Sequence, residues 1–82
     1  MTELQQQLRA YIAREANVPA ERIAESTPLV SSGLVDSFML VGLVTFIEDA
    51  AGVRIPAAYA AVEHLDSLAL IEQLVAKVRA AR

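Results

Sequence analysis

Gly33-Leu34-Val35-Asp36-Ser37-Phe38-Met39-Leu40-Val41 is the stretch on which the reading of this 82-residue chain turns. Behind it lies a long segment punctuated by Pro19, Pro28, Ser31, Ser32 and Gly33; ahead of it runs an apolar segment that reaches Ala51. A loop therefore hands over to a helix at Asp36-Ser37. An aspartate at that junction accepts hydrogen bonds from the first free N–H groups and is a good N-cap. Ser37 then stands at the first helical position and projects outward, where the partial positive charge of the helix end favours a phosphate on its hydroxyl. The dipeptide alone decides nothing, since Asp66-Ser67 before Leu68 is a second helix start of the same kind.

Working outward, residues 2–16 predict an amphipathic helix. Thr2 and Gln5 have capping-box spacing, and Leu4, Leu8, Tyr11 and Ile12 recur at helical intervals. Asn17-Val18-Pro19 ends it, because a proline disfavours helical geometry in the residue before it. The connection over 17–35 has room for a turn of helix at Ala20 to Ala24 with Ile23 pointing inward, and Leu29 and Val30 are expected to pin its middle to the core. A connection this long in a small domain is usually functional. The second helix is expected over 37–51, with Val41, Val44 and Ile47 as its core stripe flanked by Leu40 and Leu43, and with Gly52 as its stop. Val53-Arg54-Ile55 reads as extended, Pro56 opens a short helix through about Val62, and His64 falls in a loop. The last helix starts at Asp66 or Ser67 and carries Leu68, Ile71, Leu74, Val75 and Val78, with Lys77, Arg79 and Arg82 at its negative end. The prediction is an all-α, four-helix bundle of three longer helices and a short third, with a long loop between helices 1 and 2, in one domain over 1–82.

Composition excludes several classes. A chain this size buries only about 60–65% of its unfolded surface, which leaves no room for a deep catalytic cleft and its scaffold. There is no Cys, and one His cannot build a metal site by itself, so no metal is expected. A net charge of −3 and a pI near 4.9, with seven scattered basic residues, argue against nucleic acid. No signal peptide and no membrane span are visible, which predicts a cytoplasmic protein. An esterase would need a nucleophile elbow and a placed histidine, and neither is present, so no enzyme is expected.

The run from Leu29 to Val41, continued by Phe46-Ile47-Glu48-Asp49 and Gly52-Val53-Arg54-Ile55-Pro56, resembles the acyl and peptidyl carrier protein family, over nearly the whole chain from Leu4 to Val78. The resemblance implies that Ser37 receives 4′-phosphopantetheine from coenzyme A, that Asp36 is the cap beside it, and that Ser67 is only a cap. It implies a carrier that holds an acyl or aminoacyl thioester, and these partners: a phosphopantetheinyl transferase, a loading enzyme of adenylation or acyltransferase type, and a downstream ketosynthase, condensation or tailoring enzyme. The form Gly-Leu-Val-Asp-Ser is most similar to free-standing carriers of polyketide and nonribosomal peptide pathways, with D-alanyl and fatty-acid carriers as alternatives. Docking is expected at Leu34, Phe38, Met39, Gly42, Phe46 and Asp49, on apolar contact rather than on a negative stripe, with Met39, Gly42 and Thr45 facing outward. Phe46 is open between docking surface and buried filler, and Gly42 between a flat spot for a partner and close helix packing. In the family the segment after Pro56 adapts to cargo, which makes Tyr59 and Val62 candidates for contact with it. A monomer is expected. The rival from another class is an unmodified helical interaction module, which explains the amphipathic helices but not an exposed Asp36-Ser37 at the end of a long loop.

Overall fold

Each long helix begins at a short polar side chain that accepts a backbone N–H, as an N-cap must. Thr2 and Gln5 form a reciprocal capping box, Gln5 N–H to Thr2 Oγ1 at 3.1 Å and Thr2 N–H to Gln5 Oε1 at 3.0 Å. Asp36 Oδ1 takes Met39 N–H at 2.8 Å, and Ser67 Oγ takes Leu70 N–H at 3.1 Å. These caps open α1 (Glu3–Ala16), α2 (Ser37–Ala51) and α4 (Leu68–Ala80) in a computed structural model that describes residues 1–81. A single turn, α3 (Val62–Leu65), precedes α4, and no strand is present among the described residues. The all-helical architecture of three longer helices and a short third matches the prediction; Arg82 lies outside the described residues.

The stop signals differ in part from the reading above. α1 ends at Asn17, which takes the left-handed conformation (φ 57°) while Val18 N–H reaches back to Ala13 O at 3.0 Å. That closes the helix before Pro19 can act on it. α2 stops as expected at Gly52, whose φ of 66° is available to glycine at little cost. The segment after Pro56 makes only a 3₁₀ turn, Ala57–Tyr59, and the chain turns helical again at Val62. His64 is therefore in α3 and not in a loop, with its ring edge-on to Tyr59 at 5.3 Å. No side chain caps Ala57–Tyr59, and a few alanines cannot overcome the cost of nucleating a helix.

The core draws on every part of the chain. Leu8 and Ile12 from α1, Leu43 and Ile47 from α2, Leu65, and Leu68, Ile71, Leu74 and Val75 from α4 are buried together. The connection between α1 and α2 supplies Ile23, Leu29 and Val35, each no more than 1% exposed. Burying one such side chain stabilises by about 1.5–3 kcal/mol, so three of them anchor a segment with little regular structure. The stripe expected on α2 is rotated: its buried face is Leu43 and Ile47 with Leu40 and Val44 partly covered, and Val41 is 71% exposed. Arg79 lies in the last turn of α4 as expected and also reaches across to α2. Its Nη2 donates to Ala51 O at 2.8 Å and so satisfies a carbonyl at the end of α2. Among the described residues no helix is long and apolar enough to cross a membrane.

Candidate functional site

The connection that delivers Ser37 is held by one carboxylate. Asp66 Oδ1 accepts the backbone N–H groups of Leu29, Val30 and Ser31 at 3.1, 2.7 and 2.8 Å, and Oδ2 accepts the Ser31 hydroxyl at 2.7 Å. Leu29 N–H also approaches Asp66 O at 2.8 Å. The Ser31 backbone N–H and hydroxyl hold the Asp66 carboxyl below the usual carboxylate range; partial burial opposes them, and the N–H groups of Val30 and Leu29 add smaller lowering effects. From Ser31 the chain tightens. Ser32 Oγ donates to Pro28 O at 2.7 Å, Gly33 N–H closes a turn on Val30 O at 3.0 Å, and Val35 N–H returns to Leu29 O at 2.8 Å. Gly33 sits at φ 84°, where a Cβ would be strained. With Val35 buried beneath, the next two residues are forced to the surface.

Asp36 and Ser37 are both exposed. The Ser37 hydroxyl forms no hydrogen bond among the described residues, whereas the hydroxyls of Ser31, Ser32 and Ser67 are all engaged. By helix geometry the N–H groups of Ser37 and Phe38 have no intrahelical acceptor and open toward solvent. The first turn of α2 carries no acidic side chain. The site is thus an exposed hydroxyl on a helix end whose positive charge the Asp36 carboxylate answers only in part, through Met39 N–H, and whose Ser37 and Phe38 N–H groups remain open to a phosphodiester.

The remaining predicted residues divide into groups. Phe38 is 88% exposed and Met39 half-buried; with Tyr11, Glu15, Val41 and Gly42 they line a groove of about 300 Å³ between α1 and α2. Gly42 faces α1, not solvent as expected: a Cβ there would lie 2.7 Å from the Tyr11 hydroxyl. Phe46 is half-buried and stacks on Tyr11, with ring centroids 4.4 Å apart, and so fills the α1–α2 seam. Met39 likewise packs against the core instead of facing outward, while Thr45 is exposed as predicted. Leu34 is half-buried beside Gly33 and Pro28, and Asp49 is exposed far along α2. Tyr59 lies in a separate groove of about 270 Å³ with Arg54, Pro56, Lys77, Val78 and Ala81, with the Lys77 ammonium 5.2 Å from its ring centre. Val62, 43% exposed, does not line that groove.

Sequence reasoning missed Asp66 and the α1 wall made by Tyr11 and Glu15. Asp66 left a signal: it precedes Ser67 as Asp36 precedes Ser37, yet Ser67 alone caps α4, which frees the aspartate for another task.

Comparison with known families gives a match over residues 6–75 to the family described as a phosphopantetheine attachment site. No curated protein matches the chain.

Proposed function

The chain belongs to the phosphopantetheine-attachment family, whose domain is the site of covalent 4′-phosphopantetheine attachment, and we propose that Ser37 is the residue that bears the arm. One observation carries this assignment: Ser37 is the exposed first residue of α2, with an unengaged hydroxyl at a helix end that welcomes negative charge. In the modification the Ser37 oxygen bonds to the pantetheine-bearing phosphorus of the coenzyme A pyrophosphate, the P–O bond from that phosphorus to the adenosine half breaks, the serine proton is lost, and adenosine 3′,5′-bisphosphate departs. When bound, the arm supplies a terminal thiol that holds cargo as a thioester. Asp36 fixes the start of α2 so that the hydroxyl stays outward, and Asp66 holds the loop behind it.

On this reading the whole chain, 1–82, is one carrier domain that catalyses nothing itself and acts in the cytoplasm. It is modified by a phosphopantetheinyl transferase and loaded by an adenylation or acyltransferase enzyme. A ketosynthase, condensation or tailoring enzyme then takes the cargo. The sequence Gly33-Leu34-Val35-Asp36-Ser37 supports a place in polyketide or nonribosomal peptide synthesis, with a D-alanyl carrier as the alternative. Docking centres on the end of α2, where Phe38 offers the largest exposed apolar surface beside Ser37 and Leu34, with Asp49 at the far margin. Tethering raises the local concentration of cargo at each partner, so weak and fast docking suffices.

The test is intact mass after incubation with coenzyme A, magnesium and a promiscuous phosphopantetheinyl transferase. One added phosphopantetheine group, lost in Ser37→Ala and retained in Ser67→Ala, is the expected outcome. No gain in folded protein, with a control carrier modified in parallel, refutes the assignment.

A further inference from the structure

Three consecutive backbone N–H groups, those of Leu29, Val30 and Ser31, converge on the single oxygen Oδ1 of Asp66. Successive amides turned onto one point form an anion-binding nest, and here the anion is a side chain 35 to 37 residues away in sequence. Asp66 spends both carboxylate oxygens on this segment and leaves the capping of α4 to Ser67. A second tie lies beside the first, where Ala69 N–H of α4 donates to Glu25 O at 3.0 Å. The clamped segment leads on to the attachment residue, because Leu29 O accepts Val35 N–H at 2.8 Å and Val35 is buried two positions before Ser37. Between these anchors Ser31, Ser32 and Gly33 are exposed and Leu34 is half-buried. They are the surface met by an enzyme that approaches Ser37 from the loop side.

We propose that Asp66 is a positioning residue for the modification of Ser37, presetting the loop surface that the modifying enzyme binds, so that its loss raises KM for this protein and leaves kcat unchanged. The inference rests on the carrier reading of Ser37 and adds a division of labour to it. Asp36 holds the start of α2, and with it the hydroxyl, through a bond to Met39 N–H in which Asp66 has no part. Asp66 bonds instead to residues 29–31, six and more positions before the serine. Without its carboxylate the three N–H groups lose their common acceptor, and the loop spreads over several arrangements. An enzyme then binds only the competent fraction, and its apparent affinity falls in proportion to that fraction. Once it is bound, the hydroxyl stands as in wild type, so only binding common to ground and transition states is lost, which is a KM effect. A hydrogen bond to a charged group moves an equilibrium by about tenfold or more, which sets the rise expected when all of them are removed.

The experiment measures initial rates of phosphopantetheine transfer from coenzyme A over a range of carrier concentrations, at a temperature where circular dichroism shows each protein folded. Asp66→Ala should raise KM about tenfold at unchanged kcat. Asp66→Asn, which keeps an acceptor oxygen but not the charge, should fall between it and wild type. Ser67→Ala, which removes the neighbouring cap of α4 and leaves the clamp alone, should keep both constants. Amide exchange should quicken at Val30 and Ser31 in Asp66→Ala while Ile12 and Ile71 in the core keep their protection. A wild-type KM in Asp66→Ala, an equal rise in Ser67→Ala, a fall in kcat at constant KM, or unchanged exchange at Val30 and Ser31 would each overturn the positioning role while leaving the carrier reading intact. Should Asp66→Ala not fold, Asp66→Asn decides, and a wild-type KM there overturns the role as well. Wild-type protein that gains no phosphopantetheine removes both.

Discussion

Replacing Asp36 separates the two contributions that the start of α2 makes to the site. Asp36→Ala deletes a 2.8 Å hydrogen bond to Met39 N–H and leaves that donor to water. Loss of an N-cap costs about 1 kcal/mol, within a range of about 0.5–2. In a domain of this size that lowers the melting temperature by about 4–8 °C per kcal/mol. Asp36→Asn keeps an equally ranked cap and removes only the charge, which near a helix N-terminus is worth about 0.3–1 kcal/mol at low salt. Thermal melts followed by circular dichroism should therefore rank the proteins wild type, Asn, Ala, with the Asn variant converging on wild type as salt screens the charge. Both variants should be modified more slowly at Ser37, the Ala form most, because its first turn frays. An Asn variant as unstable as the Ala variant at every salt concentration would refute the argument, since the bond would then contribute nothing. So would an Ala variant that melts with wild type.

Gly42→Ala sets a gain of about 1 kcal/mol in helix propensity against the displaced Tyr11 ring, whose stack on Phe46 is worth about 0.5–1.5 kcal/mol. Urea unfolding should show near-neutral stability together with altered near-ultraviolet dichroism from Tyr11; a gain of the full propensity with an unchanged tyrosine signal would contradict the close packing described above. Acid should loosen the Ser37 loop, because the folded-state pKa of Asp66 is depressed. Its stabilisation is complete above the unfolded-chain value near 3.9, declines as pH drops below it, and is gone once pH falls through the folded-state pKa. Asp66→Asn should accordingly weaken the protein at neutral pH and flatten the acid side of its stability curve, and an acid limb identical to wild type would sink this account.

What could be seen in the sequence is what local chemistry decides. Thr2, Asp36 and Ser67 mark helix starts through their own side chains, and Gly52 marks an end through its own backbone freedom, so α1, α2 and α4 were predictable to within a residue or two. The face of α2 was not. Phe38, Met39, Leu40, Val41, Leu43, Val44, Phe46 and Ile47 leave almost no polar side to orient it, and only contact with α1 and α4 chooses Leu43 and Ile47 over Val41. The Asp66 clamp spans 35 to 37 residues of sequence, beyond the reach of any cap or period. Ser37 could be proposed from the sequence because the features that nominate it are its immediate neighbours; the groove beside it could not, because Tyr11 lies 31 positions from Gly42 and meets it only once the helices pack.

The Asp66 clamp also imposes an order of events in time. Leu29, Val30 and Ser31 have no carboxylate to hold them until the chain has been made as far as residue 66, and contacts of long sequence separation close late in folding. On a ribosome α1 and α2 would be synthesised, and free to form, while the segment between them was still slack. Ser37 would thus reach its fixed place only when the start of α4 had emerged. A modifying enzyme that requires the ordered loop would in effect be inspecting the far end of the domain before committing coenzyme A to it.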